Sequence, residues 1–376
     1  MLGTGNEGVL MGETGLEVPL PDGAPAYFNY YWLRDNCPTS FDSVTRERVF
    51  DIFAENAPPK ARSAAIVGGA LEIAWDGSNH VTRMPMEFLS QFARGEKRAD
   101  PARIDRVPWY ADHYATMARF SQPDLVANRS LVGDWVHAML TDGVALVTDM
   151  PDTDDGLLDT ASLVGHVRPS YFGLVFEVKT HIKPTNLAFT SAALELHTDL
   201  PSEDFAPGVQ FLHCRANSVT GGDSLFVDGL AVAEDFRQAY PEDFELLVET
   251  DVPYYCEHDD FDMRARQRVI ELDEHGAISG VTISQHQADI FDMPQRDLDR
   301  FYPAFCRFGR LMQDKTYLMR FRLNAGECIV FDNHRIVHGR AAYSATSGDR
   351  HLRGCYIDRG EMRSTYRVLA GEGRFK

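Results

Sequence analysis

Long apolar runs are missing from this chain. No stretch approaches the ~20 residues that a membrane-spanning helix needs, so a membrane protein is not expected. Paired cysteines are missing too. The six, Cys37, Cys214, Cys256, Cys306, Cys328 and Cys355, are scattered without a Cys-x-x-Cys, which excludes a disulfide framework and a dithiol redox motif. The first residues lack the basic-then-apolar order of a secretion signal, and a cytoplasmic location is expected. Positive charge is scarce: 37 Lys and Arg face 56 Asp and Glu, a net charge of −19. That balance argues against nucleic acid or an anionic membrane as a partner. Neither an internal repeat nor a low-complexity tract is present.

What remains is an ordinary apolar fraction of 44% over 376 residues, enough for one large domain or a small one and a large one. Residues 1–100 read as short strands with turns, around a Gly68-Gly69 turn signal and a short helix over 86–92 after Pro85. The polar, proline-ended stretch 95–101 reads as a linker. We therefore expect a small β-rich domain over 1–100 and a larger one over 101–376. In the latter, Ser121-Gln-Pro-Asp124 signals a helix start and a helix running to 140. A buried strand over 143–148 and a helix over 157–167 follow. Beyond 171 the chain turns to short apolar strands, at 174–180, 209–214, 224–227, 281–284, 317–323 and 328–331, with helices at 241–249 and 295–313. Many short strands with long insertions predict a mainly β fold with some α, a jelly-roll type double sheet.

Within Glu195-Leu-His-Thr-Asp-Leu-Pro201, His197 and Asp199 are two apart. On a strand, i and i+2 share a face. One imidazole and one carboxylate on one face, joined by a third ligand, suit iron(II) and leave open positions on the metal. The spacing alone is weak, because His258-Asp259-Asp260 repeats it by chance. The segment Glu327–Arg340 supplies two further histidines, His334 and His338, which parity cannot separate because both fall on one face. Twelve residues beyond His338 stands Arg350, whose planar fork can grip a carboxylate through two parallel hydrogen bonds.

The order His197-Thr-Asp199, Pro207-Gly-Val-Gln-Phe-Leu-His-Cys214, Thr220-Gly-Gly-Asp-Ser224, Phe331-Asp-Asn333, His338-Gly-Arg340 and Arg350-His-Leu352 resembles the iron(II)- and 2-oxoglutarate-dependent dioxygenases. More narrowly it is similar to the γ-butyrobetaine hydroxylase branch of the taurine-dioxygenase-like group, and Tyr31-Trp-Leu-Arg-Asp-Asn-Cys37 resembles that branch's small first domain. The resemblance implies a double-stranded β-helix. It implies iron on His197, Asp199 and His338, the ligand histidine being the one followed by Gly-Arg. It places the far carboxylate of 2-oxoglutarate on Arg350, with Ser224 and Arg340 as further co-substrate residues. The implied reaction consumes dioxygen and 2-oxoglutarate, releases succinate and CO2, and hydroxylates an aliphatic carbon. Asp199 argues against a halogenase, which needs that coordination position for a halide.

Substrates of the branch carry a trimethylammonium group, bound by aromatic faces because it has no N–H donor. The aromatic positions fall on Phe172, Phe176, Phe189 and Tyr356, with phenylalanine where the branch has tyrosine and tryptophan. Asn186 matches an amide that holds the substrate's anionic end. Leu200 replaces an aromatic, and Ser284, Gln285 and His286 stand where the branch has further amides. These departures favour a tetrahedral anion, 2-(trimethylammonio)ethylphosphonate, slightly over γ-butyrobetaine. A taurine-type sulfonate is the third reading, and a non-catalytic ligand-binding jelly roll the fourth. The branch's first domain binds zinc through three cysteines and a histidine. Here Cys37 and His80 remain, while Thr39 and Asp42 occupy the other positions, so no structural zinc is expected. Packing by Phe28, Trp32 and Trp75 must then hold that domain. The resemblance also implies a homodimer.

Overall fold

The structure is a computed structural model and describes residues 3–4, 8–96, 99–179 and 190–371. Its contacts divide the chain into two compact units, Met1–Ala99 and Asp100–Lys376.

The first unit holds an antiparallel four-stranded sheet, Gly3–Thr4, Leu10–Met11, Gly15–Pro19 and Pro25–Asn29, and a three-stranded meander, Ala61–Val67, Ala70–Trp75 and Val81–Pro85. Gly68 and Gly69 make the meander's first turn at φ +54° and +75°, the left-handed region that two-residue hairpin turns need. Asn29 caps the helix Tyr30–Asp35 by accepting from the amides of Tyr31 and Trp32. The helix Met86–Phe92 follows Pro85. Phe28, Leu33, Ile73 and Trp75 are buried in one core, and Trp32 packs at its edge, 5.7 Å from the Phe28 ring and 5.9 Å from Phe88. Cys37 Sγ sits 3.4 Å from His80 Nε2 and 3.1 Å from Thr39 Oγ1.

In the second unit, residues of each central strand alternate between two cores. Val144 and Leu146 face one, Ala145 and Val147 the other. The larger sheet runs Val167–Arg168, Arg350–Ile357, Val209–Asn217, Glu327–Asp332, Val144–Thr148 and Arg119–Ser121, with Phe176–Val178 also paired to Arg350–Ile357. The smaller sheet runs Leu194–His197, Ile336–Arg340, Ser224–Asp228 and Met319–Phe321. Phe331 and Leu352 from the larger sheet share a core with Phe226 and Phe321 from the smaller. Two facing sheets of this kind form the double-stranded β-helix. Helices Arg129–Asp142 and Arg359–Ala370 cover the outer face of the larger sheet. The segment from Gly229 to Met312, an insertion between two strands of the smaller sheet, covers the other side around Val227 and Val337.

Several predicted elements take a different form. The helix expected over 121–140 is two, Gln122–Ala127 and Arg129–Asp142. Asn128 leaves helical geometry at φ −131° to cap the second by accepting from the Ser130 amide, and Gly143 ends it at φ +76°. The strand expected at 281–284 is displaced to Ile278–Val281, and Ser284 opens a short turn, Gln285–Gln287. Arg350–Ile357, lacking apolar alternation, gave no strand signal, yet it is buried along nearly its whole length. Among the described residues no helix is long and apolar enough to cross a membrane.

The turn that precedes His338 is anchored from beneath. Arg335, fully buried, donates through Nε and NH2 to both carboxylate oxygens of Asp228 at 2.9 and 2.8 Å, and to the carbonyls of Thr141 and Val107. Asp228 also accepts from the amides of Leu230 and Trp109. A buried ion pair holds its place when its remaining hydrogen bonds are met, and here they are.

Candidate active site

His197 ends its strand directly opposite His338 in the smaller sheet, with a bulge between Leu194 and His197. This register separates the two histidines that parity left equal. His338 lies within the strand, whereas His334 sits in the preceding turn with Nε2 3.1 Å from the Ala206 carbonyl. The strands approach closely at Gly339, where a Cβ would lie 2.6 Å from the Leu194 carbonyl oxygen. That contact accounts for glycine after His338.

Asp199 lies just past the strand end and is held on several sides. Thr198 donates its amide to the Ile283 carbonyl at 2.7 Å, and its hydroxyl accepts from the Ile283 amide at 3.1 Å. Leu200 adopts φ +56°, a left-handed conformation that costs roughly 1–2 kcal/mol for a non-glycine residue. Asn333 clasps the backbone: its Oδ1 accepts from the Asp199 amide at 2.7 Å, and its Nδ2 donates to the carbonyls of Asp199 and Pro207 at 3.0 Å. Tyr356 donates its hydroxyl to Asp199 Oδ2 at 2.7 Å. The other oxygen, Oδ1, lies 3.1 Å from His197 Nε2 and 3.6 Å from His338 Nε2.

One ligand atom from each of His197, Asp199 and His338 lies within 4.8 Å of the others. Donors about 2.1 Å from one ion at right angles to each other are about 3 Å apart, so these groups are close to the spacing that one divalent ion requires. Their protonation also fits. His197 Nδ1 is 2.8 Å from the Glu195 carbonyl. A carbonyl only accepts, so this contact puts a proton on Nδ1 and leaves Nε2 directed at Asp199. Burial, assisted by the His197 ring, pushes His338 down to about 3, so it is neutral near pH 7. Burial raises Asp199, but the imidazoles and the Tyr356 hydroxyl outweigh it and hold the carboxyl below the usual range. Two imidazoles whose Nε2 atoms turn towards one carboxylate are a donor set suited to a divalent ion.

These three residues line a cavity with an empty volume of about 880 Å³, part of it open to solvent. Beyond them it is lined by the aromatic rings of Phe172, Phe176 and Tyr356 and by Ser224, Arg340 and Arg350. The Phe176 and Tyr356 rings stack with centroids 5.0 Å apart. Arg350 is 9% exposed, and burial with nearby Arg340 lowers its guanidinium to about 10. Its Nε makes no hydrogen bond among the described residues, and its guanidinium stands 5.5 Å from the Tyr343 ring. Arg340 donates to the Thr190 and Ala192 carbonyls at 2.7 Å.

Ser284 and Gln285 do not line the cavity. Ser284 is buried beneath the turn and Gln285 is exposed, while His286 and Gln287 face inward. The His286 ring meets His197 edge-on at 4.8 Å, and burial lowers it to about 4, so it is neutral. Asn186 and Phe189 lie outside the described residues. The reading of the sequence missed Asn333 and Gly354. Asn333 stood in a quoted motif, but nothing in the pattern said what its amide would hold. Asn333→Ala is expected to weaken iron(II) binding roughly ten- to a hundredfold, as loss of a partner that orients a ligand does. Titration of metal-free protein with iron(II) under nitrogen measures it, and an unchanged affinity would remove Asn333 from the site.

Residues 109–356 match the profile of the taurine catabolism dioxygenase TauD, TfdA family. A γ-butyrobetaine dioxygenase from Pseudomonas sp. (strain AK-1) is 32% identical over 95% of this chain and 94% of its own length. The γ-butyrobetaine dioxygenase of Homo sapiens is 30% identical over 90% of each. The crystal structure of AAD-2 in complex with Mn(II) and N-oxalylglycine superposes with a TM-score of 0.50 at 14% identity, covering 61% of this chain and 89% of that one. At that identity the superposition speaks for the fold.

Proposed function

The chain belongs to the taurine catabolism dioxygenase TauD, TfdA family, and from that premise we propose that it hydroxylates an aliphatic carbon of a small trimethylammonium zwitterion. It is a dioxygenase that uses iron(II) and 2-oxoglutarate. When bound, these supply, with dioxygen, the oxidising power to replace an unactivated C–H by C–OH, with succinate and CO2 as co-products. The protein contributes position and exclusion of water.

In this reading His197, Asp199 and His338 hold the iron. Tyr356 occupies one carboxylate oxygen of Asp199 and leaves the other for the metal. Arg350, buried in the cavity lining with Arg340 and Ser224, receives the far carboxylate of 2-oxoglutarate. Phe172, Phe176 and Tyr356 present ring faces to the trimethylammonium group. By the family resemblance, Phe189 and Asn186, which lie outside the described residues, would add contacts to the cation and the anion. His286 and Gln287, the inward-facing members of the turn that begins after Ser284, meet the substrate's anionic end with neutral hydrogen-bonding groups.

The observation that carries the proposal is the convergence of the three ligand groups and a buried arginine on one aromatic-walled cavity. We favour 2-(trimethylammonio)ethylphosphonate as substrate, because an imidazole and an amide can serve the three oxygens of a tetrahedral anion. The relatives named for γ-butyrobetaine support the carboxylate as the second reading. Mass spectrometry of each compound with enzyme, iron(II), ascorbate and 2-oxoglutarate decides between them. Addition of one oxygen to the phosphonate at the higher kcat/KM is expected. Hydroxylation of taurine alone would point to the sulfonate reading.

The first unit is proposed as a separate small domain without zinc, since Cys37 and His80 are left with Thr39 and Asp42 rather than cysteines. Metal analysis of purified protein is expected to give one iron and no zinc per chain, and stoichiometric zinc would refute this. The unpaired cysteines support a cytoplasmic location, and the family resemblance supports a homodimer. Light scattering should give twice the 42.2 kDa chain mass.

A further inference from the structure

The Phe176–Val178 strand has three residues, few for a strand to hold its place by backbone pairing. It pairs with Arg350–Ile357 in the register Phe176 to Gly354, Glu177 to Arg353 and Val178 to Leu352. Alternation sends Phe176 and Val178 into the cavity and Glu177 to the opposite face.

Each face carries its own fastening. On the cavity side the Phe176 ring fills the space beside Gly354, where a Cβ would lie 2.0 Å from Phe176 Cζ. From there the ring stacks on Tyr356, which is itself fixed by its bond to Asp199. On the outer side the Glu177 carboxylate is shared. Its Oε2 lies 2.6 Å from His351 Nε2 and 3.2 Å from Lys179 Nζ, and its Oε1 lies 3.3 Å from Arg353 Nε. Arg353 is tied in turn to the Asp154 carbonyl at 2.8 Å. Burial works against ionisation of Glu177, but the bonds from His351 and Lys179 prevail and hold its carboxyl below the usual range. One strand, Arg350–Ile357, therefore supplies the aromatic wall's notch through Gly354 and the partners of the Glu177 carboxylate through His351 and Arg353.

We propose that Glu177 is a positioning residue for substrate binding. Clamped by His351 and Arg353, it holds the short strand so that Phe176 stays in the Gly354 notch and keeps its face towards the trimethylammonium group. The inference rests on the reading of Phe176 and Tyr356 as the cation's wall. A wall ring that must be ordered at the moment of binding weakens affinity, by roughly tenfold for one immobilised side chain.

The test uses the full chain with Glu177→Gln, Glu177→Asp and Gly354→Ala. In metal-free protein, hydrogen exchange at the amides of residues 176–178 is expected to quicken about tenfold in Glu177→Gln, with residues 209–217 unchanged. In the loaded enzyme the KM for the trimethylammonium substrate is expected to rise about tenfold, with kcat and the KM for 2-oxoglutarate within about twofold. Glu177→Asp should recover part of the loss, and Gly354→Ala should reproduce the same split with Glu177 intact. Unchanged exchange at 176–178, or a parallel rise in the KM for 2-oxoglutarate, would overturn the proposal. Should no trimethylammonium compound be turned over, the substrate reading fails, while the exchange experiment still decides whether Glu177 clamps the strand.

Discussion

His338→Ala is expected to bring turnover down to background, and His334→Ala to leave it within severalfold of the unaltered enzyme. Both histidines are largely buried and lie four residues apart, so a difference between them isolates the ligand role. His338 Nε2 faces Asp199 Oδ1 and the strand partner His197. His334 turns away to the Ala206 carbonyl, and its amide donates to Asp332 Oδ1 at 3.0 Å. Loss of a group that merely orients a ligand costs roughly ten- to a hundredfold, and loss of the ligand itself exceeds that range. Loss of His334 removes a neutral hydrogen bond worth about 1 kcal/mol, which shows in the unfolding midpoint rather than in the rate. Initial rates with bound iron counted in each variant make the comparison. A dead His334 variant beside an active His338 variant would reverse the ligand choice.

Arg350→Ala is expected to raise the 2-oxoglutarate requirement by thirtyfold or more, with little effect on iron binding. Truncating one partner of a buried charge pair costs about 2–5 kcal/mol, a factor of roughly thirty to several thousand. Burial, with nearby Arg340, already lowers the Arg350 guanidinium, so an incoming carboxylate compensates a desolvated and repelled charge as well as forming bonds. Arg350→Lys is expected to recover only part of the loss, because an ammonium keeps the charge and loses the two-pronged geometry. Titrations of 2-oxoglutarate into each variant supply the constants. An iron affinity that falls as far as the 2-oxoglutarate affinity would mean that Arg350 shapes the site instead of gripping the co-substrate.

The core of the candidate site was legible in part. The two-residue spacing of His197 and Asp199 named the pair, but only His197 lies on the strand, and the bonds of Thr198 and Asn333 bring Asp199 beside it past the strand's end. The choice between His334 and His338 was not legible from spacing, because it depends on which residue pairs with His197 across the sheet. Register is a property of two distant segments. Arg350 was legible as a candidate but its strand was not. Its inward positions are Arg350, Leu352, Gly354 and Tyr356 and its outward ones include His351 and Arg353, so no apolar alternation marks it. The turn Gln285–Gln287 shows a further limit. A serine, an amide and a histidine were visible in a row, but which of them faces the cavity follows from how the turn leaves the Ile278–Val281 strand. Gly354 gave no signal at all, since its role is to be absent where a distant ring needs room.

Anaerobic addition of iron(II) to the protein with 2-oxoglutarate, followed by visible absorption, tests the shared metal site most directly. A metal-to-ligand charge-transfer band that saturates at one iron per chain is predicted, kept in His334→Ala and lost in His338→Ala. A band that survives the loss of His338, or that never forms with the unaltered chain, would contradict the account.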